Sequence, residues 1–195
     1  MRKGGRRGGQ QLAHAGAGPL LQRDYWCIIR APRVGPAELI ATLRRHFAAF
    51  APDELVVFFP RDGRSLESGD EIDLRIAGAG PARVRVIHVD RQSFTLGTLA
   101  GHPEAGRITF GSYHDDHGEL IFHIRSHARS KSRLRRAGFL AAGEVMQTSA
   151  WSEFVNRVAV AFGEGPKGFI HAETKRRPDE PEPLERNAPT YHAVD

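Results

Sequence analysis

Cysteine is almost missing from this chain: Cys27 stands alone among 195 residues. A single thiol excludes an internal disulfide and a zinc site built from cysteines. Long hydrophobic runs are missing as well. Nothing approaches the eighteen or so consecutive apolar residues of a membrane span. The opening "MRKGGRRGGQQLAHAGAGPLL" is basic but has no apolar stretch behind the charges, so it does not read as a secretory signal, and a cytoplasmic address is expected. Acid is absent from the first 23 residues, which hold Arg2, Lys3, Arg6, Arg7 and Arg23. Of the 28 cations these five account for the whole net charge of +5, since 23 then face 23 acids. The remainder is electrically balanced, and a chain-wide polyanion-binding surface is not implied.

Both ends are poor in the apolar residues that would offset ordering entropy. The Gly-rich stretch 1–19 and the Pro- and charge-rich stretch 164–195 are therefore expected to be disordered tails around one domain, 20–163. Inside it "DYWCIIRAP" reads as a strand. "GPAELIATLRRHFAAFAPD" reads as a helix opened by Pro36, with Leu39, Ile40, Leu43, Phe47 and Phe50 on one face. Six further strand-like segments follow, from "ELVVFFP" to "ELIFHIRSHA", each bounded by turn residues. A long helical region then carries Val145, Trp151, Phe154, Val155, Val158 and Phe162 as an apolar stripe.

Strands joined by short turns run antiparallel, and the apolar face of such a sheet needs a cover. The pattern predicts an α+β helix-grip fold, a curved antiparallel sheet of six to seven strands with the long C-terminal helix across it. A sheet that wraps a helix without filling the space leaves a cavity for a small apolar or amphipathic ligand. The predicted lining is Phe94, Leu96, Phe110 and Phe122 from strands and Trp151, Phe154, Val155 and Val158 from the helix.

One stretch is specific enough to carry a resemblance. "FTLGTLAGHPEAGRITF", followed by "GELIFHIRSHAR" and a long helix, resembles the domain-of-unknown-function family numbered nineteen-ninety over residues 25–162. The family signature is similar to G-T-L-x-G-H-P-E-x-G-E-x-x-F. Arg107 and Ile108 stand where a glutamate and its neighbour are expected, and a Pro-Ala-His run expected at the entry to the helix is absent. The resemblance implies a shape similar to START/Bet v 1-like ligand-binding proteins and implies no reaction.

Within that stretch His102 and Glu104 are the weak catalytic candidates, an acid–base pair two residues apart with no nucleophile beside them. The simpler reading is a shaped hairpin, with Gly101 and Gly106 allowing the turn and Pro103 fixing an angle. "HDDH" at 114–117 reads as a polar hairpin loop and not as a metal site. His123, Arg125 and His127 alternate with apolar residues and read as a solvated outer face. The run "RSHARSKSRLRR" at 125–136 holds six cations and no acid. Arg129, Lys131, Arg133, Arg135 and Arg136 are the anion-binding candidates, with RNA or an anionic membrane as the alternative partner. No cofactor or metal is called for.

Overall fold

The computed structural model describes residues 9–11, 13–59, 64–130 and 133–178, side chains excepted over 133–146. The elements are β1 (Ala17–Ile29), α1 (Pro36–Arg45), β2 (Val56–Phe59), β3 (Glu71–Ile76), β4 (Gly80–Val89), β5 (Ser93–Thr98), β6 (Glu104–His114), β7 (Leu120–Ser130), α2 (Arg133–Phe162) and β8 (Pro166–Arg177). The strands form one antiparallel sheet in the order β2-β3-β4-β5-β6-β7-β1-β8. From β2 to β7 the order follows the chain, as short turns require. β1 and β8 are then added beside β7. α2 packs against β1, β7 and β8 through buried Phe154, Val155, Val158, Ala159 and Phe162. This is the helix-grip arrangement, with eight strands where six to seven are expected.

The extra strand comes from the segment read as a tail. β8 pairs with β1 from Ile29↔Pro166 to Leu20↔Arg177, which corrects the reading of 164–195 as disordered over those residues. Its side chains are mostly exposed, so composition gives no hint of it. What holds β8 is a backbone ladder, aided by Trp26 stacking on His171 with ring centroids 3.8 Å apart. Order also reaches further toward the N-terminus than the boundary at 20. β1 begins at Ala17, a 3-10 turn covers Ala13–Ala15, and Gln10 bridges Leu99. Residues 1–8 and 179–195 lie outside the described residues.

α1 starts at Pro36, the position where a missing N–H costs nothing, and buries Leu39, Ile40 and Leu43. It ends five residues earlier than the continuous apolar face suggests. At His46 the backbone leaves helical geometry and a 3-10 turn, Phe47–Phe50, follows. The tighter turn carries the Phe47 ring into the centre of the core, 5.0 Å from Phe110 and 4.9 Å from Phe58. At the other end of the interior, Arg33 donates to the carbonyl oxygens of Val160 and Ala161, satisfying the last turn of α2. Among the described residues no helix is long and apolar enough to cross a membrane.

The convex face corrects another expectation. His123 is completely buried, not solvated. Its Nε2 lies 2.7 Å from Asp24 Oδ1 on β1, which also accepts from Arg125 Nε at 2.5 Å. Gln22 donates to Asp24 Oδ2, while Gln22 Oε1 lies 3.1 Å from His127 Nε2 and accepts from Arg177 of β8. Burial alone would raise the Asp24 carboxyl. Hydrogen bonds from His123, Gln22 and Arg125, with the Arg125 charge, outweigh it and hold the carboxyl well below the usual range. Burial lowers both histidines; for His127 the Arg107 and Arg125 charges add to it and take the ring to about 4. A charged strand face was buried because a neighbouring strand brought an acid to it.

Candidate functional site

Three neighbouring strands grade in side-chain size along the concave face. β5 runs Phe94, Leu96, Thr98; β6 runs Phe110, Ile108, Gly106; β7 runs Phe122, Ile124, Ser126, Ala128. The register aligns the gradients: Phe94 faces Phe110, Leu96 faces Ile108 and Gly106 faces Ala128. The large ends meet Phe47 and Phe154 and close completely. Phe94 and Phe110 stack at 4.9 Å, and Phe110 lies 5.5 Å from Phe154. At the small ends side chains do not reach across, and a cavity of about 110 Å³ remains. Its apolar wall includes Phe58, Leu74, Val84 and Leu96, with Ala150 and Trp151 of α2 opposite.

This displaces the expected lining. Leu96 and Trp151 border the cavity. Phe94, Phe110, Phe122, Phe154, Val155 and Val158 are instead packed in the closed core, because ring meets ring where the strands carry phenylalanine. The expected lining left out Phe58, Leu74, Val84 and Ile108 on the other strands, and also the small residues Ala128, Ser126 and Ala150, for which hydrophobicity gives no signal. The size gradient along three strands was the signal available.

His102, Pro103 and Glu104 form one end of the same cavity. Gly101, at φ 103°, makes the turn after β5 that few other residues could make. The turn is wired from the N-terminal segment. Gln11 Nε2 donates to the carbonyl oxygens of His102 and Glu104, at 3.2 and 2.9 Å, and Thr98 Oγ1 accepts from Gly106 N–H at 3.0 Å. Gly106 is required for a different reason. A Cβ there would stand 2.1 Å from the His127 carbonyl oxygen on β7. The His102 ring folds back on its own loop, its Nδ1 3.1 Å from Glu104 N and 3.0 Å from Glu104 O. That geometry braces the hairpin and does not aim Nδ1 at the Glu104 carboxylate.

The Glu104 carboxylate is held elsewhere. Its Oε1 accepts from Arg23 NH1 at 3.2 Å, the side chains being 18 % and 8 % exposed. Arg23 sits on β1 opposite Ser126 of β7, so the pair joins β6 to β1 over a strand whose residues there are small. Buried Cys27, its thiol pushed up to about 12 by burial, is no nucleophile.

Of the 114–117 segment, His114 ends β6 and the rest lies in the hairpin loop that leads to β7. Asp115 Oδ1 accepts from the N–H groups of His117 and Glu119. Among the described residues no cluster of three potential metal ligands occurs. Of the anion-binding candidates, Arg129 donates to the Gly18 carbonyl oxygen at 2.6 Å. Arg133 opens α2, but its side chain and those of Arg135 and Arg136 lie outside the described residues, as does Lys131 altogether.

The family model for Domain of unknown function (DUF1990) matches residues 41–157, more than half of the chain. The chain belongs to the DUF1990 family. Its domain shares a fold with a hypothetical protein of Helicobacter pylori, at TM-score 0.50 and 8% identity over 71% of this chain and 86% of that one. The di-domain ARO/CYC protein StfQ of the steffimycin biosynthetic pathway matches at TM-score 0.50 and 14% identity, over 74% of this chain and 52% of that one. Truncated norcoclaurine synthase of Thalictrum flavum gives TM-score 0.48 and 12% identity, over 75% and 96% respectively. At such identities the likeness concerns the fold alone. No relative was found among curated proteins.

Proposed function

We propose that this DUF1990 domain binds a small amphipathic molecule between the sheet and α2. The observation that carries the reading is the aligned size gradient, which leaves an apolar cavity bordered at one end by His102 and Glu104. A core of this size would gain stability by filling such a space with larger side chains. Keeping Ala128, Ser126 and Ala150 there is consistent with an occupant. The apolar wall supplies affinity through burial, and the polar end supplies orientation.

The catalytic alternative has less support, since His102 Nδ1 faces the main chain of its own loop. A role in binding RNA or an anionic membrane rests on side chains of which Arg129 contacts the Gly18 carbonyl oxygen.

Native mass spectrometry of the purified protein tests the reading, together with Ala128→Leu, which fills the small end. A bound small molecule is expected in the wild type and is expected to be lost in the variant, with melting held or raised. Retention of the molecule at full occupancy in a folded Ala128→Leu protein would place it elsewhere and refute the cavity.

A further inference from the structure

The chemistry of the cavity's polar end restricts the ligand further, on the reading just given that the cavity is the binding site. Glu104 uses one carboxylate oxygen on Arg23. Its other oxygen, Oε2, has no hydrogen-bond partner among the described residues, although the residue borders the cavity. Two nearby polar groups, Thr98 Oγ1 and Gln11 Nε2, are already engaged, while Ser126 and Gln147 also border the cavity. Thr98 Oγ1 is shared between Gln11 and Gly106, and Gln11 Nε2 is spent on the loop carbonyls. Arg107, which also borders the cavity, stands close enough to His127 for its charge to depress that ring.

A carboxylate oxygen can only accept. An occupant that leaves it unpaired forfeits the hydration the oxygen had in the empty site, whereas a donor on the occupant restores it as a charge-assisted bond. We infer that the ligand carries a hydrogen-bond-donating head, a hydroxyl or an amine, that meets Glu104 Oε2, with an apolar body toward Leu96 and Trp151. Arg23 fixes the carboxylate's orientation from the far side. Its own Nε is buried and has no partner among the described residues, so the pair is an incomplete one that a second polar atom on the ligand or a water could extend. A carboxylate or phosphate head is disfavoured, because it would bring like charge against Glu104.

Three probes of similar shape test this in the full chain: 2-naphthol, 2-methylnaphthalene and 2-naphthoate, titrated by fluorescence. The naphthol should bind roughly tenfold more tightly than the methyl compound, as expected for a hydrogen bond to a charged group, and the naphthoate most weakly. In Arg23→Met/Glu104→Leu, which removes both charges together and leaves no buried ion alone, the naphthol preference should shrink to about twofold or less. Should that variant not fold, Glu104→Gln, which keeps the size and removes the charge, must lower the same preference. Equal wild-type binding of naphthol and methylnaphthalene, or tighter naphthoate, overturns the donor-head inference while leaving the cavity reading intact. Failure of all three probes to bind overturns the cavity reading itself.

Discussion

The two ends of the interior share three strands and one helix, yet one is solid and the other, walled also by β2, β3 and β4, is hollow. At the solid end Phe94, Phe110 and Phe122 meet Phe47 and Phe154, all but Phe47 (4 %) with no exposed surface. At the hollow end Gly106, Ala128 and Ser126 occupy the corresponding positions four to six residues along. The hydrophobic effect forms both ends, since apolar side chains turn inward at both. What differs is packing, and packing decides whether interior space is filled or available.

The strongest test of this difference is a pair of truncations. Phe110→Ala should cost about 3–5 kcal/mol in urea unfolding, because ring contacts on every side are lost. Leu96→Ala, whose side chain already faces empty space, should cost about 2 kcal/mol, the low end for such changes. Equal losses would mean that the cavity is closed in solution.

Next in size is the border between the ends. Gly106→Val should destabilise by about 1–3 kcal/mol, through collision with the β7 main chain. If the variant melts like the wild type, the close approach of β6 and β7 is relaxed in solution and the gradient loses its alignment.

The convex face supplies a titration that the apolar interior cannot. His127 is kept neutral in the fold and binds a proton more readily when unfolded. Stability from this group is therefore fully present above its ordinary value of 6.5 and is lost as pH falls from there to about 4. Depressed His123 acts in the same direction, while the stability that Asp24 contributes is fully present above its ordinary 3.8 and is lost only as pH falls below that value. Melting temperature should fall across that window, and His127→Gln should flatten part of the slope. A flat profile in the wild type would show that the buried network is open to water.

The smallest effect is expected at His102. Its ring braces the hairpin through local contacts, so His102→Ala should change stability by about 1 kcal/mol or less. A loss as large as that of Gly106→Val would make the histidine part of the scaffold and not only the rim of the cavity.

Much of the architecture was legible. Alternation and turn residues marked seven strands in nearly their observed places, and the stripe from Phe154 to Phe162 identified the covering helix. The eighth strand was not legible, because β8 joins the sheet by backbone bonds, which leave no trace in side-chain composition. The same holds for Gln11, a polar residue in a Gly-rich stretch whose amide holds two carbonyls of the loop. At the candidate site, the loop itself stood out by its glycines, proline, histidine and acid. The cavity beside it did not, because a hollow is a property of what lies opposite.

The sequence by itself determined which residues turn inward, where the chain reverses, and that one long helix must cover one sheet, since periodicity and turn chemistry are local. Only the tertiary structure decided which inward residues touch. Register set phenylalanine against phenylalanine at one end and glycine against alanine at the other. It also brought Asp24 to His123 across 99 positions of chain and Arg23 to Glu104 across 81. Burial of charge and the survival of empty space both depend on such distant partners, and no local pattern contains them.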